Sequence, residues 1–178
     1  MTVSTIKMTA RQFLELGEDP PGVRLELVDG EVAVSPSPMP RHSFVDRELT
    51  IILGTYIKAN NLGALFGDVD TIFGEYDVRR PDLIYFAKNR LHLIGEKAME
   101  GPPDLCVEII SPSSRTIDRK KKFKQYEVGK VAHYWIVDPE ARTVDICESG
   151  KHFAGTDVLT SELFEGFSMP LAELFAEK

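Results

Sequence analysis

Between residues 105 and 137 the chain reads strand, helix, strand, and this one segment restricts the possible folds more than any other. Leu105-Cys106-Val107-Glu108-Ile109-Ile110 is a short apolar run, closed by Ser111-Pro112-Ser113-Ser114. A basic stretch with helical spacing follows over residues 116–128 and stops at Gly129, and residues 132–137 are apolar again. Apolar runs this short, bounded by turn formers, read as buried strands. A helix between them makes a crossover, right-handed if the two strands are parallel. Helices and strands mixed in this order put the chain in the α/β class, as a mixed (α+β) sheet with helices packed against it.

The rest of the sequence fits around that unit. Thr9 is placed to cap a helix over residues 10–16, which Asp19-Pro20-Pro21-Gly22 ends. Asp29-Gly30 between two strand-like runs, residues 23–28 and 31–35, predicts an N-terminal β-hairpin, because both central residues of a tight primed turn need positive φ. Phe44, Val45, Leu49, Ile52, Leu53, Tyr56 and Ile57 recur at helical spacing and predict a long helix over residues 41–60. Strands are expected over residues 64–66, 71–74 and 82–86, followed by a polar, exposed excursion over residues 88–101. After the crossover come a turn at residues 138–142, a returning strand over residues 143–148, one more short strand, and an amphipathic piece at residues 171–175. These elements predict a single domain over residues 1–178 built on one mixed sheet.

Bulk properties narrow the function. At 178 residues and 43% hydrophobic the chain has material for one sizeable core. No apolar run approaches the roughly 18 residues of a membrane span, and residues 1–7 lack the apolar core of a signal peptide. Cys106 and Cys147 fall in predicted strands with no disulfide or metal spacing, which implies a reducing, cytoplasmic setting. A net charge of −7 argues against a surface coated for nonspecific nucleic-acid binding. It leaves room for a local patch, and Arg115, Arg119, Lys120, Lys121, Lys122 and Lys124 stand against Asp118 alone.

Two carboxylates interrupt the apolar runs. Asp82 follows Arg80-Pro81 at the head of one strand, and Glu108 sits in the middle of another. A buried carboxylate needs a partner. For Glu108, a basic side chain and a shared cation account for the pattern equally well. For Asp82, an ordinary Pro-Asp strand start is the simpler account. If the two share a divalent cation, the all-oxygen donor set suits Mg²⁺ or Mn²⁺. On the basic helix, Phe123 and Tyr126 define an inward face, with Arg119 and Lys122 close to it and Lys121 and Lys124 pointing away. Lys122 can pair with Asp118 four residues back, or reach over the end of the Glu108 strand towards a cation. Glu26 and Glu31 flank the hairpin turn and read as surface. His42, near the start of the long helix, reads as structural. No Walker loop, GxGxxG, zinc cluster or Ser/His pairing is present.

Together these residues resemble the PD-(D/E)XK nuclease superfamily, and within it the Uma-type family of endonucleases. The resemblance covers nearly the whole chain. It rests on Leu25-Glu26-Leu27-Val28-Asp29-Gly30-Glu31, Ser35-Pro36-Ser37-Pro38, His42, Arg80-Pro81-Asp82-Leu83, Val107-Glu108-Ile109-Ile110-Ser111-Pro112-Ser113-Ser114, Asp118-Arg119 with Lys122 and Tyr126, and Tyr134-Trp135-Ile136-Val137-Asp138-Pro139. Ile110 occupies the slot where the superfamily's lysine usually stands, two residues after the Glu. The resemblance implies that this lysine has moved to the following helix, as Lys122, with Arg119 the other inward candidate and Lys121 next if the helix register differs by one. It further implies a restriction-endonuclease-like fold, metal ligation by Asp82, Glu108 and the Ile110 backbone carbonyl, and supporting places for Glu26 and His42. The expected activity is Mg²⁺- or Mn²⁺-dependent hydrolysis of DNA by activated water, in a cytoplasmic homodimer with no membrane partner. The alternative is a catalytically degenerate binding or regulatory module on the same fold.

Overall fold

The computed structural model describes residues 7–35, 38–110 and 131–176. In chain order its elements are α1 (Ala10–Leu14), β1 (Arg24–Val28), β2 (Glu31–Ser35), α2 (Pro40–Ala59), β3 (Gly63–Gly67), β4 (Thr71–Gly74), β5 (Asp77–Arg79), β6 (Leu83–Ala87), a 3₁₀ helix (Lys88–Leu93), β7 (Leu105–Ile109), β8 (His133–Asp138), β9 (Thr143–Ile146), β10 (Lys151–Ala154), β11 (Val158–Thr160), β12 (Ser168–Pro170) and α3 (Leu171–Leu174). They group into two compact units.

The first unit takes the described residues of Met1–Ser37, Val69–Arg80 and His92–Pro102. Its sheet is antiparallel in the order β2-β1-β5-β4. The hairpin forms where Asp29-Gly30 predicts it, with φ of 51° and 81° at the two turn residues, and Val28 faces Glu31 across the turn. Thr9 caps α1 through a reciprocal box with Gln12. That helix lays Ala10 and Phe13 on Leu27 and Val78 to form a small core. Arg80 ties the unit together. Its guanidinium meets Asp70 at 2.8 and 3.2 Å and Asp19 at 2.7 Å, beside a cavity of about 360 Å³ lined in part by Phe13, Leu14 and Leu25.

The second unit holds the larger core. Six strands order as β10-β9-β8-β7-β6-β3, with β7 and β8 parallel and the other neighbours antiparallel. The expected crossover strands are therefore parallel neighbours, and this central sheet is mixed. Val45, Leu49, Leu53 and Ile57 of α2 recur at helical spacing and pack on Leu83, Tyr85, Leu105, Val107 and Ile109, joined by Trp135, Phe164 and Phe167. By strand alternation Ile84, Phe86, Cys106, Glu108, Tyr134 and Ile136 belong to the opposite face, and all are buried. Among the described residues, no helix is long and apolar enough to cross a membrane.

Several expectations are corrected. The single sheet becomes a six-stranded mixed sheet, a separate four-stranded one, and a β11–β12 ribbon. Strand β5 was not anticipated, because Asp77-Val78-Arg79 shows one apolar residue and gains its identity only by pairing with β1 and β4. The tail carries three strands instead of one. Cys147 lies just beyond β9. The stretch after β6 is not wholly exposed: Ala98 and Met99 are buried, and Met99 exchanges backbone hydrogen bonds with Asp70 and Ile72. The basic helix expected over residues 116–128 lies outside the described residues.

One ion pair at the edge of the second unit carries a pH prediction. Glu148 accepts from the Tyr134 backbone N–H at 3.1 Å, and its other oxygen meets His133 Nδ1 at 2.8 Å. Burial pushes its carboxyl pKa up, but the hydrogen bonds from His133 and Tyr134 outweigh this, and the net shift is downward. A depressed carboxylate contributes stability above its unfolded pKa and loses it as pH falls through the folded value. Glu148→Gln is expected to cost about 1–2 kcal/mol near neutral pH. In acid, where Glu148 itself is protonated, the cost should vanish. Urea unfolding of both proteins at the two pH values checks this, and an equal gap at both would contradict it.

Candidate active site

Three chain segments converge in the second unit. Pro81 ends the approach to β6 and leaves Asp82 one residue ahead of the strand, rather than at its first position as the sequence predicts. The β6–β7 pairing sets Leu83 against Val107 and Ile84 against Cys106. Asp82 directly precedes Leu83 and Glu108 directly follows Val107, so the two carboxylates stand at the same end of the paired stretch. The backbone reinforces this placement, since the Ile109 N–H donates to Asp82 Oδ2 at 2.8 Å. Glu108 is 6% exposed, one residue from the end of β7. Ile110 is buried as well and extends the ladder, its N–H donating to the Val137 carbonyl at 2.9 Å.

The third segment is the first turn of α2. His42 Nε2 lies 3.1 Å from Asp82 Oδ1, with both side chains largely buried. Both Asp82 oxygens therefore have a protein contact, one a backbone amide and one an imidazole. Burial drives the His42 pKa down. The hydrogen bond to Asp82 and the charges of Asp82, Asp46 and Glu108 drive it up, and the upward influences prevail. Among the described residues, the buried Nδ1 of His42 has no hydrogen-bond partner. Tyr134 responds to the same charges. Burial raises its pKa most, followed by Glu108, with smaller contributions from Cys147, Cys106 and Asp82. His42 and Tyr134 thus each sense both carboxylates.

The sequence-predicted residues divide accordingly. Asp82, Glu108, Ile110 and His42 lie in the second unit, and direct contacts link Asp82 to His42 and to the β7 backbone. Glu26 lies in the first unit, where its Oε1 accepts the Arg80 backbone N–H at 2.9 Å. There it fixes the main chain two residues before Asp82 in sequence. Lys122, Arg119 and Lys121 lie outside the described residues. Sequence reasoning missed Asp46 and Tyr134. Asp46 stands four residues after His42 on α2, the spacing that puts two side chains on one helix face. That spacing, together with a carboxylate between Val45 and Leu49, was the available signal. Tyr134 shares the alternation of Ile136 in β8, and nothing local in the sequence ties it to Glu108.

Among the described residues, no group of three or more His, Cys, Asp or Glu side chains is arranged to hold a metal ion. A hard divalent cation does not require one, because Mg²⁺ is commonly held by one or two carboxylates with water and substrate phosphate completing its shell. An Asp82 carboxylate bonded to the β7 backbone one residue past Glu108, beside the strand end at Ile110, fits that chemistry.

A family model described as "Uma2: Putative restriction endonuclease" matches residues 10–172. Among solved structures, one described as a putative nuclease belonging to DUF820, from Anabaena variabilis ATCC 29413, superposes with a TM-score of 0.76. The match covers 94% of this chain and 97% of that one at 22% identity, so it is a likeness of fold. No curated protein matches the chain.

Proposed function

Since this chain belongs to the Uma2 family, described as restriction endonucleases of putative standing, we propose that it is a divalent-metal-dependent endonuclease that hydrolyses DNA phosphodiester bonds. The observation that carries the proposal is the Asp82 carboxylate, bonded at 2.8 Å by the amide of Ile109, the residue after Glu108, and met at 3.1 Å by His42. Asp82, Glu108 and the Ile110 carbonyl would hold Mg²⁺ or Mn²⁺. Held by these residues, such an ion would supply polarisation of a phosphoryl oxygen and a water nucleophile near neutral pH.

The chain's own residues prepare that chemistry. The Ile109 N–H and His42 fix the Asp82 carboxylate from two directions, so its orientation is set before any ligand arrives. Glu108 sits in a strand flanked on both sides, with little freedom to turn away. Lys122, assigned from the family resemblance, supplies positive charge for the phosphoryl group as the bond breaks, with Arg119 and Lys121 as the neighbouring candidates.

Calorimetric titration with MnCl₂ is expected to show one saturable site, with at least a tenfold loss of affinity in Asp82→Asn. Absence of any saturable heat in the wild type would instead favour a degenerate binding module, the reading to which the net charge of −7 lends weight.

A further inference from the structure

The two edges of the first unit's sheet are built differently. Strand β4 is protected, since its pairing with β5 shifts register between Ile72 and Gly74, and the Met99 segment occupies its outer side through bonds to Asp70 and Ile72. Bulges and covering segments are the devices by which sheets avoid unwanted pairing. Among the described residues, strand β2, Glu31-Val32-Ala33-Val34-Ser35, has none. It contains no bulge, no Lys and no Pro, and its outer side pairs with no strand among the described residues. Val32 and Val34 are 44% and 68% exposed.

The hairpin determines which groups that edge offers. In a two-residue turn the flanking pair, here Val28 and Glu31, exchanges hydrogen bonds, and the pattern alternates outward from it. Glu31, Ala33 and Ser35 thus direct their backbone groups inward to β1, whereas Val32 and Val34 direct theirs outward. We propose that β2 is a homodimer edge: two copies pair antiparallel about a two-fold axis through Ala33, so that the first unit's sheet continues from one copy into the other.

In that register every outward group is matched. Val32 exchanges hydrogen bonds with Val34 of the second copy, and Val34 with Val32, while Ala33 faces Ala33. On one face Leu25 and Val34 of one copy continue into Val32 and Leu27 of the other as a single apolar row. At each end of the seam Glu31 of one copy lies two strands, about 10 Å, from Arg24 of the other, so acidic and basic residues oppose each other there. An isologous interface has this self-complementarity. The pairing needs nothing from the nuclease reading, and a monomeric nuclease would overturn it while leaving that reading intact.

Sedimentation of the full chain over a wide concentration range tests the proposal. The wild type is expected to pass from monomer to dimer. Val34→Pro deletes an outward N–H without touching the hairpin's own bonds and is expected to raise the dissociation constant at least tenfold, with an unchanged circular dichroism spectrum. Ala33→Cys is expected to yield a disulfide-linked dimer under oxidation, because facing residues in a non-hydrogen-bonded pair lie about 4.5 Å apart at Cα, and adding Val34→Pro should abolish it. A wild type that stays monomeric throughout overturns the proposal. So does a dimer indifferent to Val34→Pro, which would place the interface elsewhere, or dimerisation that appears only after residues 1–6 are deleted, which would make those residues the edge's occupant.

Discussion

Replacing Glu108 with Gln is expected to lower Mn²⁺-dependent DNA cleavage about a thousandfold, since on the proposed assignment it removes a charged cation ligand, which is worth several kcal/mol, and each 1.4 kcal/mol is about tenfold. Glutamine keeps the size and hydrogen-bonding shape of the side chain in a strand whose residues are all buried, so the fold should survive and circular dichroism should not change. That separates chemistry from stability. Glu162, a surface carboxylate at 77% side-chain exposure that pairs with Lys151, provides the control, and Glu162→Gln should cleave like wild type. The decisive comparison is made on proteins purified in parallel. If Glu108→Gln retains wild-type activity, the cleavage comes from a contaminant or from another site, and the assignment fails.

The second large effect concerns the fold beside that site. Gly63 opens β3 at φ 154° and pairs with Ala87 of β6. A Cβ added there would come within 2.0 Å of the Phe86 carbonyl oxygen and 3.0 Å of Ala87 backbone atoms. No side-chain rotation relieves a clash with main chain, so the strands must separate. Gly63→Ala is expected to cost about 3–5 kcal/mol, combining backbone strain with overpacking. That is a large share of the roughly 5–15 kcal/mol that holds a domain together. The urea midpoint should fall sharply. A midpoint within experimental error of wild type would show that β3 and β6 are not packed as described. Gly54, where an added Cβ meets only the end of Leu65 at 3.8 Å, is the matched comparison and should tolerate alanine.

What could be read from the sequence follows the range of the forces involved. The Asp29-Gly30 hairpin and the Thr9 cap were legible because each is decided within a few residues by φ preference or a local hydrogen bond. Helix α2 was legible because its apolar face repeats over five turns. The strand β5 and the burial of Met99 were not, since both depend on backbone partners far away in the chain. The candidate site shows the same division. Asp82 and Glu108 stood out as carboxylates in apolar runs. The bond from His42 to Asp82 joins residues forty positions apart, and no local pattern announces it. The resemblance pointed to His42, and the structure supplies its partner. Asp46 and Tyr134 went unnoticed because a single polar residue in an apolar stripe is ordinary unless its neighbours across space are known.

The alternation of β7 has an evolutionary consequence. Val107 and Ile109 serve the α2 core while Glu108, between them, serves the opposite face, so the position of this carboxylate is a matter of odd or even count. A one-residue insertion between Leu105 and Glu108 would not displace the site slightly. It would turn the charge into the apolar core and a core residue outward. If Glu108 serves as proposed, many side chains around it can be exchanged as long as the parity of this short strand is preserved. On the proposed assignment, a single-residue length change within the strand would take Glu108 off the face it shares with Tyr134.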